Sequence, residues 1–402
     1  MTADNLMDLV ALRPLTAAEA GCIDRVLRAM RTHLGMDVAF VSHFRDTDRV
    51  FTHVDARGQA PLSPGDVLAM SAGYCRSVVD GLLPGVIADT AAVPAALAIA
   101  ETHALPIGSH MSVPIHLSDG RLYGTFCCFS HSPTPGLTER DLQVMKVFGE
   151  LIAERIEADL GHARNHDEKA SRVRAAMEAR QPLIVYQPIF DLATMQVSGW
   201  ECLSRFASKP QRSPDVWFQE AADVGLGEEL ECMAIAEALA ALERFPGHTY
   251  LSLNCSPQLV LSGRLLAALA GYPAHRLVLE LTEHAVVQDY RLLEVALQPL
   301  RARGVRVAID DAGAGYASLR HILQLRPDMI KLDMSLTRGI DRDLQRRAMA
   351  SALIAFGRET GSVIVAEGVE TEQELAQLKR LGASKAQGFL LGRPQTLEAV
   401  GL

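Results

Sequence analysis

The spacing of hydrophobic positions divides the chain into three zones. From about Leu15 to Ser130 the pattern is mixed. A helical repeat lies near Ala17 to Leu34, an apolar run from Val38 to Phe44 reads as a strand, and SVPIHLSDGRLYGTFCCF reads as two strands joined by Asp119-Gly120. Glycine tolerates the positive φ that tight turns require, so this dipeptide predicts a hairpin. From Thr138 the period becomes helical: Thr138 reads as an N-cap with Asp141 at capping-box spacing, and Leu142, Met145, Phe148, Ile152, Ile156 and Leu160 follow along one face. GHARNHDEK reads as a polar break before a second helical stretch, through Ala170, Val173 and Met177 to Gln181. Such a connector packs either on its own preceding domain or on a second copy as a parallel coiled coil.

In the third zone, short apolar runs alternate with amphipathic helical segments such as ELECMAIAEALAALERF and RLLEVALQPLRARG. The runs are LIVYQPI, VSGWECL, TYLSLN, RLVLELTE, VRVAIDD, MIKLD, SVIVAEGVE and KAQGFLL. Eight strand–helix units predict an α/β fold of the (β/α)8, TIM-barrel type. No repeat of fixed length links them, which disfavours a solenoid. The expected organisation is an α+β domain over residues 1–160 with its connector helix from about 138, a helical linker over 161–180, and the barrel over 181–402.

Composition narrows the function classes. With 402 residues, 49% of them hydrophobic and 22% charged, the chain is long enough for two or three folded domains. A formal charge of -9 argues against binding along a nucleic-acid polymer, which calls for a clustered basic surface. The N-terminal MTADNLMDLV carries acidic residues where a secretory signal would be basic, and no apolar run reaches about 18 residues. A cytoplasmic protein without a membrane partner is expected. Seven cysteines without a CxxC pair read as reduced thiols, mostly small buried hydrophobes.

The candidate chemistry lies at the strand ends. Glu201, Asn254, Glu280, Asp310, Asp311, Lys331, Glu367 and Gln387 each close or nearly close an apolar run. In a TIM-type barrel these ends converge on one face, where active sites are built. Several carboxylates cannot crowd together unpaired, because repulsion and desolvation would raise their pKa values until some neutralised. Divalent cations resolve this, and an all-oxygen ligand set favours Mg²⁺ or Mn²⁺ over zinc. Two such ions could activate water and stabilise both oxygens of a phosphoryl displacement, with Lys331 orienting the water or stabilising charge on phosphate.

YQPIFDLATMQVSGWECLSRF, LNCSP, ELTE, DDAGAGYASL, KLD, AEGVE and QGFLLGRP together resemble, in order and spacing, the EAL family of cyclic di-GMP phosphodiesterases. The resemblance spans nearly all of 181–402, and no GGDEF-like cyclase segment accompanies it. It implies that Glu201, Asn254, Glu280 and Asp310 ligate one ion, that Asp310 bridges to a second, and that Asp311 and Glu367 complete that second site or act through water. Lys331 matches the family's catalytic lysine, with Glu201 and Glu367 beside it. Gln187, Leu203, Arg205 and Gln387 match dinucleotide contacts, and the planar guanidinium of Arg205 suits a phosphate oxygen. Glu283 and Glu370 match outer residues that orient ligands and the loop after Asp311.

The chain departs from the family twice. Cys202 stands where alanine is usual; as the strand neighbour of Glu201 it should point the other way and leave the ligand in place. Ala312 stands where phenylalanine is usual, in the loop that the resemblance assigns to coupling a dimer interface to the metals. The expected result is activity that persists, at a lower level or with more dependence on the sensor.

The hairpin and GYCRSVVDGLLPGVIADT resemble a GAF sensor domain, the second segment looking like the strand and loop beside its ligand pocket. This implies an unidentified small ligand or signal there. The combined reading is metal-dependent hydrolysis of cyclic di-GMP to pGpG by a homodimer under GAF control. The alternatives are a non-catalytic cyclic di-GMP receptor and a barrel hydrolase of another phosphodiester. Plainer readings attach to single residues: His284 as a helix-start surface residue, Cys232 and Cys255 as packing. Cys75 and His110 read as filler before ligand contact, chromophore attachment or oxidant sensing.

Overall fold

The computed structural model describes residues 21–70, 73–281, 287, 289–313 and 316–401. The chain forms two compact units, Met1–His166 and Asp167–Leu402.

In the first unit, six strands form an antiparallel sheet: β1 (Val38–Phe44), β2 (Asp48–Ala56), β3 (Val67–Ala69), β4 (Val86–Ile87), β5 (Ser109–His116) and β6 (Leu122–Ser130), in the order β3-β2-β1-β6-β5-β4. The β5–β6 hairpin turns at Asp119 and Gly120 as expected, with Gly120 at φ +84°. Side-chain alternation splits the core in two. Phe126 and Cys128 of β6 face the helix Gly21–Leu34 and the first half of a long helix, Glu139–Glu178, whereas Cys127 and Phe129 face Phe40, Phe51, Tyr74 and Cys75. The predicted helix start at Ala17 lies outside the described residues. GYCRSVVDGLLPGVIADT, expected as a strand and loop, opens instead with a helix, Tyr74–Val79, and its strand is the short β4. Tyr74, Cys75 and Val78 recur at helical spacing and pack against the same core.

The expected polar break does not interrupt the connector, which is one 40-residue helix from Glu139 to Glu178. GHARNHDEK lacks proline and carries Ala, Arg, Glu and Lys, all good helix formers, so its polarity reports exposure rather than a break. Thr138 donates from its backbone N–H and its hydroxyl to Asp141 Oδ2, at 2.9 and 2.7 Å. Toward the helix's other end, Val173 and Ala176 pack with Phe206, Trp217, Ala221 and Leu230.

The second unit is a closed eight-stranded barrel: β7 (Leu183–Asp191), β8 (Val197–Arg205), β9 (Tyr250–Cys255), β10 (Leu277–Leu281), β11 (Arg306–Ala312), β12 (Met329–Leu332), β13 (Val363–Ala366) and β14 (Lys385–Ala386). It departs from eight identical units at one place: β7 runs antiparallel to both β8 and β14, while the other pairs are parallel. The cause is local. Asp191 Oδ1 accepts from the backbone N–H groups of Ala193 and Thr194, and Met195 sits at φ +56°, forming a turn too short to carry a crossover helix.

Strand alternation also sorts the barrel into layers. Leu251, Leu253, Leu279, Leu281, Val307, Ile309, Ile330, Leu332, Ile364 and Ala366 point outward into the layer beneath the helices. Ile189, Tyr250, Val278, Ala308, Met329 and Val365 point inward and form an apolar plug. The next inward position along each strand is polar, which defines the site.

Candidate active site

Two residues beyond the plug, toward the carboxyl ends of the parallel strands, stand Ser252 on β9, Glu280 on β10, Asp310 on β11, Lys331 on β12 and Glu367 just after β13. Glu201 on β8 and Gln187 on β7 are directly paired across the antiparallel ladder and so share the same face. Because β7 is reversed, its inward Gln187 joins the ring from the middle of the strand rather than its end.

Lys331 lies at the centre, 2% exposed. Its Nζ is 3.1 Å from Glu201 Oε1, 2.8 Å from Glu280 Oε2, 3.0 Å from Asp310 Oδ1 and 2.8 Å from Glu367 Oε1. Burial alone would lower its pKa, but the charges of Asp310, Glu201, Glu280 and Glu367 outweigh that and hold it well above the ordinary lysine value. This carboxylate ring holds Lys331 as a cation.

Four carboxylates exceed what one ammonium can balance. Burial, reinforced by the charges of Glu201 and Asp310, pushes Glu280 up to about 8 against the pull of Lys331. Glu367 is likewise raised, by burial first and by Asp310 and Glu201, with Lys331 opposing. Glu201 goes the other way: Lys331 and a 2.6 Å hydrogen bond from Gln387 Nε2 overcome its desolvation and lower its pKa. Gln387 also donates to Glu367 Oε1 at 2.8 Å.

A bulge in β11 brings two adjacent aspartates to this face. Ile309 pairs with Ile330 and Ala312 with Leu332, so Asp310 and Asp311 together oppose Lys331 alone, and Asp311 takes a left-handed φ of +54°. A regular strand would send neighbouring side chains to opposite faces. Here the ligand atoms of Asp310, Asp311 and Glu367 fall within 4.8 Å of one another, as do those of Glu201, Glu280 and Asp310. The two groups share Asp310. Excess negative charge, oxygen-only donors and two adjacent groups fit hard divalent cations better than an empty carboxylate cluster. Asn254 lies beside Glu280 in the β9–β10 register and is exposed toward the barrel mouth.

The other predicted residues are distributed around this centre. Leu203 and Arg205 continue the inward parity of Glu201 up β8; Leu203 is half-buried, and Arg205 is exposed, donating to the Ser204 carbonyl at 2.8 Å. Gln187 Nε2 donates to the Gly392 carbonyl at 3.0 Å, tying β7 to the segment after Gln387. Cys202 points away from the site, buried in the outer core. Glu370 is exposed and pairs with Arg338. Glu283 and His284 lie outside the described residues. Ala312 is fully buried at the end of β11.

Sequence reading missed Ser252, whose hydroxyl donates to Glu280 Oε1 at 2.5 Å, and Glu374, which accepts from the backbone N–H groups of Gly339, Glu370 and Thr371. Inward parity with Asn254 signals the first. The capping-box spacing of Thr371 and Glu374 signals the second.

Residues 170–394, more than half of the chain, match the EAL domain family, and residues 16–157 match the GAF domain family. The chain belongs to the EAL domain family. It is 33% identical over 240 residues to the bifunctional diguanylate cyclase/cyclic di-GMP phosphodiesterase MucR of Pseudomonas aeruginosa, covering 56% of this chain and 35% of that protein. It is 32% identical over 222 residues to the probable cyclic di-GMP phosphodiesterase PdeD of Escherichia coli, covering 52% of this chain and 41% of that one. The chain thus spans less than half the length of either relative. The solved PaMucR phosphodiesterase–c-di-GMP complex superimposes with a TM-score of 0.51 at 31% identity, covering 58% of this chain and 99% of that structure. No helix among the described residues is long and apolar enough to cross a membrane.

Proposed function

We propose that the chain hydrolyses cyclic di-GMP to linear pGpG with Mg²⁺ or Mn²⁺ bound at the two carboxylate groups that share Asp310. The observation that carries this reading is the Lys331 ammonium enclosed by Glu201, Glu280, Asp310 and Glu367. Carboxylate in excess of one ammonium suits two divalent ions, which would stabilise the attacking and leaving oxygens of a phosphodiester displacement. Glu201, Asn254, Glu280 and Asp310 would hold one ion, and Asp310, Asp311 and Glu367 the other. Bound there, the ions supply Lewis-acid polarisation of the phosphate.

Lys331 would donate to charge developing on phosphate oxygens as water adds to phosphorus, the P–O3′ bond breaks and a proton from the water ends on the departing O3′. Gln387 fixes Glu201 and Glu367 relative to each other, and Ser252 fixes Glu280. Gln187, Leu203 and Arg205 lie along β7 and β8 where the dinucleotide would rest. The relatives named as cyclic di-GMP phosphodiesterases support this substrate.

The GAF domain is read as the regulatory input. The barrel is read as a homodimer through the apolar side chains exposed on two neighbouring helices: Leu292 (60% exposed) and Val295 (60%) on Tyr290–Ala302, and Leu323 (64%) on Tyr316–Leu325. The second helix begins just beyond the β11 bulge. Leu292→Glu with Leu323→Glu should convert a sedimenting dimer to a monomer and reduce turnover. A wild-type chain that sediments as a monomer at micromolar concentration would remove the dimer. For the activity itself, the test is conversion of cyclic di-GMP to pGpG with Mg²⁺ or Mn²⁺ by wild type, by Glu201→Ala and by Lys331→Ala.

A further inference from the structure

In the first unit, three chemically active side chains line one small, partly open cavity of about 10 Å³: Arg49, Cys75 and His110. All three are at least 99% buried. Arg49 pairs with Glu101, yet among the described residues its Nε has no hydrogen-bond partner, and neither has Nδ1 of His110. Buried polar atoms of this kind call for an occupant. Beside the cavity, Cys75 Sγ lies 3.3 Å from Cys127 Sγ, which also contacts Ser112 Oγ at 3.1 Å and Thr125 Oγ1 at 3.3 Å. Cys75 comes from the helix Tyr74–Val79 and Cys127 from β6, so the contact joins the helix to the sheet.

We propose that Cys75 and Cys127 are a reversible dithiol–disulfide site oxidised by hydrogen peroxide admitted to the Arg49–His110 cavity. The inference rests on the first unit alone and holds whether or not the barrel hydrolyses cyclic di-GMP. It goes beyond the reading of Cys75 and His110 as filler, because packing alone does not explain a thiol pair in contact beside a cavity that Arg49 and His110 line. Burial would by itself raise the Cys75 thiol, but the hydrogen bond from Cys127, the charge of Arg49 and contacts from Thr125 and Ser42 hold it down to about 5, and the same coupling raises Cys127. Cys75 lines the cavity and Cys127 does not, so Cys75 is the attacking thiolate and Cys127 the resolving thiol.

The chemistry balances. The Cys75 thiolate attacks one peroxide oxygen, the O–O bond breaks, and hydroxide leaves and takes up a proton, giving water and a Cys75 sulfenic acid. Cys127 sulfur then attacks the Cys75 sulfur, the S–O bond breaks, and the hydroxyl departs as water with the Cys127 proton. Two thiols lose two electrons and two protons while one peroxide becomes two waters. Bond formation brings the sulfurs to about 2.05 Å and so draws the helix toward β6.

The remaining cysteines supply controls. Cys22 and Cys232 are half-buried and would react first if exposure decided the order; Cys128 is as buried as Cys75, but desolvation raises its thiol. The test is peptide mapping of the full-length chain, without reductant, over a time course in hydrogen peroxide. A Cys75–Cys127 cross-link, lighter by two hydrogens and reversed by dithiothreitol, should form about tenfold or more faster than oxidation at Cys22 or Cys232. Cys127→Ala should leave the Cys75 sulfenic acid unresolved, to be captured as its dimedone adduct when the peroxide-treated chain is unfolded in dimedone. Oxidation of Cys22 and Cys232 with Cys75 and Cys127 still reduced would overturn the proposal, as would a folded Cys127→Ala chain that gives no Cys75 adduct.

Discussion

At the scale of single residues, Lys331 carries most of the account. Its ammonium is in contact with four carboxylates in a buried pocket. Truncating it leaves those carboxylates uncompensated, which typically costs about 3–5 kcal/mol. Lys331→Ala should therefore lower the melting temperature of the metal-free chain, and Mg²⁺ should raise the melting temperature of the variant more than that of wild type. Equal shifts would mean the carboxylates do not hold the ion.

His110 gives a pH signature in the first unit. Burial, with the nearby charge of Arg49, lowers its pKa to about 3. The unfolded chain binds this proton near pH 6.5 and the folded chain does not. The stability His110 contributes is thus present above 6.5 and lost as pH falls toward 3, about 2 kcal/mol of it by pH 5. Thermal melts of wild type and His110→Phe between pH 7 and 5 should diverge by that amount, with wild type losing more; parallel curves would mean that His110 titrates normally. The carboxylates, Lys331 and Gln387 were legible in the sequence because each ends an apolar run. Ser252 was not, since a serine inside a strand carries no sign until its inward parity is known.

At the scale of elements, eight apolar runs became eight strands, while the direction of β7 was not legible. Periodicity reports which residues share a face, and direction is set by what a strand pairs with. The six-residue segment from Asp191 to Gln196 lacks an Asn-Gly or Asp-Gly turn signal. The bulge at Asp310 and Asp311 was hidden for a similar reason: two adjacent aspartates imply opposite faces unless the ladder slips. The connector's supposed break failed because polarity and helix propensity are separate properties.

Ala312, expected to loosen its loop, is a fully buried strand residue paired with Leu332. The loop beyond it includes Ala314 and Gly315, which lie outside the described residues. Gly388 offers a sharper test of how backbone supports the site. It follows Gln387 at φ +156°, and a Cβ there would lie 2.2 Å from the backbone N and O of Val369. Gly388→Ala should displace Gln387 from Glu201 and Glu367, reducing turnover while leaving the far-UV circular dichroism of a folded barrel. Unchanged turnover would show that the Gln387 bridge is dispensable.

At the scale of the molecule, the chain combines a six-stranded sensor sheet and a closed barrel, each with its own core. The order of the two folds was legible because hydrophobic period changes between them. The boundary was not, because one uninterrupted helix, Glu139–Glu178, contains the division between His166 and Asp167. The cavity of the first unit was not legible as such, since it is assembled from Arg49, Cys75 and His110, residues separated by tens of positions, of which Cys75 and His110 read singly as filler.

The central claim is that the Lys331-centred carboxylate ring is a working phosphodiesterase centre. Its most direct test is turnover of cyclic di-GMP by the full-length chain with Mg²⁺ or Mn²⁺. The account predicts pGpG as product, no turnover after chelation, and a loss of about 100-fold or more in Lys331→Ala and Glu201→Ala. Tight binding of cyclic di-GMP by the metal-loaded wild type without any pGpG would contradict it and make the chain a receptor.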